Sequence, residues 1–157
     1  MRGSDLASLG FREGNRILAV KLKTKPENLF FSLSQNIEGK AAEGDYRLTK
    51  KTYGYRLLPS AVITDQALIR SEFEPMPNDG PPAYHIQSDA TAGKLDLNRL
   101  HVPTGRVMIE HVIRFLIVEL GHKPPCGDEW PNVLEKSERK YLDDSASHRY
   151  KRPDGWS

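Results

Sequence analysis

The chain has 157 residues, 38% of them hydrophobic, which suits one domain with its own core and excludes a wholly disordered chain. Its 23 basic and 21 acidic residues leave a formal charge of +2, so overall charge argues neither for nor against nucleic acid. The longest nearly apolar run, Val112 to Leu120, is broken by Arg114 and Glu119 and falls short of the ~20 residues a membrane span needs.

Met1 to Gly14 carries charges and no apolar signal-peptide core, and reads as a loose arm with Leu6 and Leu9 as its few packing residues. From Asn15 the chain reads as strand, with apolar and charged residues alternating from Val20 to Lys23. Asn28 to Ser34 holds Phe30, Phe31 and Leu33 and fits either a strand or a helical turn. Asn36 to Asp45 has two glycines and few large apolar residues, which predicts a loop or hairpin turn. Tyr46, Leu48, Tyr53 and Tyr55 mark a β-prone stretch, with Gly54 as a bulge or turn. Ile69 to Glu74 alternates like a half-buried strand. Pro75 to Pro82 is a proline-rich connection, Tyr84 to Gln87 a short strand, and Lys94 to Val102 alternates again.

A long helix is expected after Pro103, with Thr104 as N-cap, a broad apolar face from Val107 to Leu120, and Gly121 just past its end. A second helix is expected from Pro131 to Leu142. Strands first and helices last predict an α+β domain: an antiparallel β-sheet packed against one long α-helix, with a second C-terminal helix. The expected layout is an arm over 1–14, a single domain over 15–144 and a flexible polar tail over 145–157.

A single cysteine, Cys126, excludes an intramolecular disulfide framework and a multi-cysteine metal site, and points to a reducing, cytoplasmic setting. There is no phosphate-binding glycine loop, no His-Glu-x-x-His helix and no G-x-S-x-G elbow. His85, His101 and His111 show no i, i+4 pairing, so neither a metal nor a cofactor is expected.

Polar chemistry concentrates at one strand-to-helix junction. Tyr84 and His85 open a short strand, Arg99 and His101 lie near the end of the next, and Thr104 to Arg106 sit at the start of the long helix. A helix start favours anions, Arg106 offers a bidentate phosphate ligand, and His85 and His101 offer proton transfer near neutral pH. These residues suit binding and cleavage of a phosphodiester; the structural alternative is an Arg106 paired with a surface carboxylate and two edge-strand histidines. Lys50 and Lys51 interleave with Tyr53 and Tyr55, a pattern that suits single-stranded RNA and equally a solvated strand face.

The order Arg70-Ser71-Glu72-Phe73, a proline-rich turn, Tyr84-His85-Ile86-Gln87, Leu100 to Arg106, and a helix ending Arg114 to Leu120 resembles the small TumE-type toxins of prokaryotic toxin–antitoxin systems. The resemblance spans roughly Asn15 to Leu120, and its specific part runs from about Ile69 to Leu120. It implies a compact α+β protein that acts on RNA and is neutralised by a cognate antitoxin protein. One departure is that Gln87 stands where a second histidine of a His-x-His pair is expected.

The combined expectation is a toxin-like, metal-independent ribonuclease without cofactor. His85, His101 and Arg106 are its catalytic candidates, and Tyr84, Arg99, Lys50, Lys51, Tyr53 and Tyr55 its RNA-binding candidates. The alternative is a non-catalytic protein–protein interaction module. Its sign is an exposed apolar patch near Tyr53, Tyr55 and Trp130. A homodimer made by edge-strand pairing is compatible with both.

Overall fold

A computed structural model describes residues 5–25, 27–42, 45–63, 66–75, 82–89, 91–92, 95–96 and 101–144. The chain falls into two compact units, Met1–Val107 and Met108–Ser157. The first holds every described strand and the second both α-helices, so the chain is α+β with a large antiparallel sheet.

In the first unit the strands are β1 (Asp5–Gly10), β2 (Arg12–Glu13), β3 (Arg16–Ile17), β4 (Ala19–Lys21), β5 (Phe30–Ala42), β6 (Asp45–Leu58), β7 (Ile69–Phe73), β8 (Tyr84–Gln87), β9 (Thr91–Ala92), β10 (Leu95–Asp96) and β11 (His101–Pro103). Seven of them form one sheet in the order β1-β5-β6-β7-β8-β11, with β4 also paired to β5; β2–β3 and β9–β10 are separate two-stranded pairs. Residues 5–10, inside the stretch read as an arm, form β1 and pair with β5 from Asp5↔Gly39 to Gly10↔Ser34.

Of the loop or hairpin turn expected over Asn36 to Asp45, residues 36–42 are strand, and the antiparallel pairing of β5 and β6 reaches Ala42↔Asp45. β5 runs on to Ala42, and β6 starts at Asp45. The cause is pairing: β6 lies along one side of β5 to Ala42, and β1 lies along the other as far as Gly39, which satisfies the backbone whatever the local propensity. The bulge is also elsewhere than expected. It falls between Asn36 and Ile37 on β5, where Lys51 is the extra residue of β6, while Gly54 keeps regular register opposite Ser34 and Glu72.

Because directly opposed residues share a face, the register sorts the side chains. One face carries the rows Leu33–Tyr55–Ser71–Ile86–Val102 and Gln35–Tyr53–Phe73–Tyr84. Here Tyr53 stacks on Tyr55 and Phe73 on Tyr84, with centroids 4.7 and 4.4 Å apart. The other face carries Ser32–Arg56–Arg70–Gln87–His101 and Ser34–Gly54–Glu72–His85–Pro103. The buried apolar residues of this unit include Phe31, Tyr53, Tyr55, Leu57 and Leu58.

The second unit corrects the long helix. α1 covers only Ile109–Val118, and α2 covers Trp130–Asp144. Residues 104–108 are not helical; Thr104 N–H bonds the Tyr84 carbonyl at 3.0 Å, and Val107 N–H bonds the Tyr53 hydroxyl at 2.9 Å. Thr104 is therefore no N-cap; that position falls to Met108, without a side-chain cap. Gly121 lies past the end of α1 as expected, at φ +64°, and His122 N–H bonds the Leu116 carbonyl. Within this unit Ser137 Oγ donates to Glu110 Oε1 at 2.6 Å, and Arg114 lies 5.6 Å from the Trp130 ring centroid.

Gly10 is fixed by close approach, since a Cβ there would lie 2.5 Å from the Leu33 carbonyl oxygen. Gly10→Ala is expected to detach the end of β1 and to cost about 1–3 kcal/mol as an overpacking substitution. Urea unfolding reads the loss, and amide exchange at residues 8–10 reads the detachment.

Candidate functional site

The polar face of the sheet gathers two arginines, a glutamate, a glutamine and two histidines. Glu72, in the middle of β7, is its hub. Glu72 Oε1 accepts from an Arg56 terminal nitrogen at 2.9 Å. Glu72 Oε2 lies 3.9 Å from Arg70 Nε and 3.6 Å from His85 Nε2. Arg70 also donates from Nε to Gln87 Oε1 at 3.1 Å, and its terminal nitrogen donates to the same oxygen. The Glu72–His85 and Arg70–Gln87 contacts join directly paired residues, Arg56–Glu72 is a diagonal cross-strand contact, and Arg70–Glu72 lies within β7.

His85 is buried, with 4% of its surface exposed, and its Nδ1 lies 2.7 Å from the Pro82 carbonyl oxygen. Its ring meets the half-buried His101 ring edge-on, with centroids 5.0 Å apart and 65° between planes. Gly54 sits beside this group, and a Cβ there would be 3.9 Å from Glu72 Oε1 and 4.0 Å from Ser34 Oγ. The glycine thus leaves a shallow recess next to the carboxylate.

The structure brings together only part of the expected constellation. His85 and His101 meet. Tyr84 does not join them, because neighbours on a strand point to opposite faces. Arg106 acts electrostatically on Tyr53, which belongs to the aromatic face. Arg99 lies outside the described residues. In the place expected for Arg106 beside the histidines, the sheet supplies Arg70 and Arg56. Their signal was the alternation Arg70-Ser71-Glu72, whose charged positions share a face with every second residue of the neighbouring strands.

The expected Lys/Tyr surface is also divided. Tyr53 and Tyr55 are 3% and 2% exposed, so their rings are core. The Tyr55 hydroxyl takes an N–H from Gln35 at 2.6 Å, and the Tyr53 hydroxyl takes that of Val107. Lys51 pairs with Glu38 at 2.7 Å, and Lys50 is half-buried. In the second unit His111 Nε2 lies 3.4 Å from Glu138 Oε1, and Cys126 is exposed. Among the described residues no group of three or more His, Cys, Asp or Glu is arranged to hold a metal ion, and no helix is long and apolar enough to cross a membrane.

Comparison of the chain with protein-family models, curated proteins and solved structures gives no match.

Burial raises the pKa of Tyr53 above its ordinary value; the Val107 N–H bond and the Arg106 charge oppose that shift without cancelling it. The folded chain therefore keeps the Tyr53 proton to higher pH than the unfolded chain does. Its contribution to stability is complete below about pH 10 and is lost as pH rises through the folded value. Tyr53→Phe removes both the ionising group and the acceptor for Val107 N–H. It is expected to cost about 1–3 kcal/mol at pH 7 and to flatten the alkaline loss, as measured by urea unfolding across the alkaline range.

Proposed function

We propose that this chain acts on RNA as a metal-independent, toxin-like ribonuclease whose site is the polar sheet face. The observation that carries the proposal is the pair of imidazoles, His85 and His101, 5.0 Å apart beside the Arg56–Glu72–Arg70 group. Imidazoles supply acid–base catalysis near neutral pH. A guanidinium has five N–H donors, so an arginine already bonded to a carboxylate still has donors for a phosphate.

The reaction these groups suit is transesterification at an RNA phosphodiester. An imidazole of the pair takes the proton of the 2′-hydroxyl, and the 2′ oxygen bonds to phosphorus. The bond from phosphorus to the 5′ oxygen breaks, and that oxygen takes a proton from an imidazolium of the pair. The products are a 2′,3′-cyclic phosphate and a 5′-hydroxyl. Arg70 and Arg56 offset charge that builds on the phosphoryl oxygens. They take the role expected for Arg106. A cognate antitoxin as partner and a cytoplasmic setting belong to the same proposal, on the family resemblance and the composition.

The test is cleavage of an end-labelled single-stranded RNA by the purified chain with a chelator present. Wild type is expected to leave cyclic-phosphate ends, and His85→Ala/His101→Ala to cut at least about 100-fold more slowly. Intact RNA with wild type overturns the proposal in favour of the interaction module.

A further inference from the structure

We infer that the two histidines are not equivalent: His101 is the ring that meets the substrate, and His85 is a positioning residue behind it, held by Glu72 and the Pro82 carbonyl. The functional part of this inference rests on the ribonuclease proposal, while its geometric part stands on the structure alone.

Both nitrogens of His85 already face acceptors. A carbonyl oxygen can only accept, so the 2.7 Å contact to Pro82 places a proton on Nδ1 in either protonation state. The other ring nitrogen, Nε2, faces Glu72 Oε2 at 3.6 Å. Neither nitrogen is turned to solvent, and the residue is 4% exposed. Glu72 is fixed in turn by Arg56 on the neighbouring strand.

His101 differs on each count. It is half-buried and lies on β11, the last strand of the sheet order, paired to β8 on one side. Its ring packs edge-on against His85. A ring so packed has its orientation set by the inner imidazole. The outer ring takes the 2′-hydroxyl proton and passes it to the leaving 5′ oxygen, ending neutral as it began. Glu72 and His85 thus act through His101, the carboxylate fixing the inner ring and the inner ring fixing the outer one.

The experiment has two arms, both on the full chain. In the first, diethyl pyrocarbonate labelling of imidazoles is followed by peptide mass spectrometry. His85 is expected to react roughly tenfold or more slowly than His101, because a buried ring must wait for local opening. Equal rates overturn the inference whether or not the chain cleaves RNA. In the second, His85→Asn, whose amide can still donate to Pro82, is compared with His101→Ala. His85→Asn is expected to lower kcat about 10–100-fold with the pH profile unchanged in shape. His101→Ala is expected to remove a limb of that profile. A limb lost in His85→Asn overturns the positioning role. Wild type that leaves RNA intact but shows the labelling difference overturns the ribonuclease proposal and the functional half of the inference, and leaves the inner and outer assignment standing.

Discussion

Antiparallel register along β6, set by β5 on one edge and β7 on the other, decides which side chains of this chain can meet. Side chains alternate faces with a period of two, so one residue of slip would move every group to the other side. The pairs Gly54↔Glu72 and Glu72↔His85 lie in one row, and Arg56↔Arg70 and Arg70↔Gln87 in the next. The charged cluster is a direct product of these rows. The stacked rings Tyr53 and Tyr55 penalise a slip, since it would carry two buried aromatics into the polar face. Burial of the aromatic rows therefore holds the polar rows in place.

The polar face is balanced around one carboxylate. Two guanidiniums flank Glu72, and half-burial weakens the screening that water gives at a surface. Removing the carboxylate would leave two arginines facing each other across paired positions on neighbouring strands. Like charges directly opposed are destabilising, so Arg56 opposite Arg70 requires a counter-ion nearby. Gln87 serves as the neutral acceptor that finishes the Arg70 side. A histidine at position 87 would offer Arg70 no carbonyl oxygen.

The sequence made several elements legible and misplaced others. Alternation identified β7 and β8 closely, because Ile69 to Phe73 and Tyr84 to Gln87 keep a clean period of two. It failed at Asn36 to Ala42, where pairing with β6, and with β1 as far as Gly39, overrides a polar, glycine-containing composition. The long helix failed for a related reason. Its apolar periodicity is continuous from Val107, but the helix starts only at Ile109, after a segment that Thr104 and Val107 tie to Tyr84 and Tyr53, residues remote in sequence. The same limit explains the site. Local order put Tyr84 and Arg106 with the histidines, whereas parity puts Arg56 and Arg70 there. Cross-strand neighbours are set by register, and register is a long-range property.

This division also bears on how RNA would be recognised under the proposed function. Base stacking needs exposed rings, and Tyr53 and Tyr55 are buried with their hydroxyls committed. Around the Glu72 carboxylate and the Gln87 amide, the polar face carries guanidinium, imidazole and hydroxyl groups, which suit phosphate and sugar. Recognition built on such contacts positions a strand without reading its bases and weakens as salt rises. A ribonuclease working from this face would therefore discriminate through the 2′-hydroxyl, the one sugar group that is both the nucleophile of the reaction and the mark of RNA.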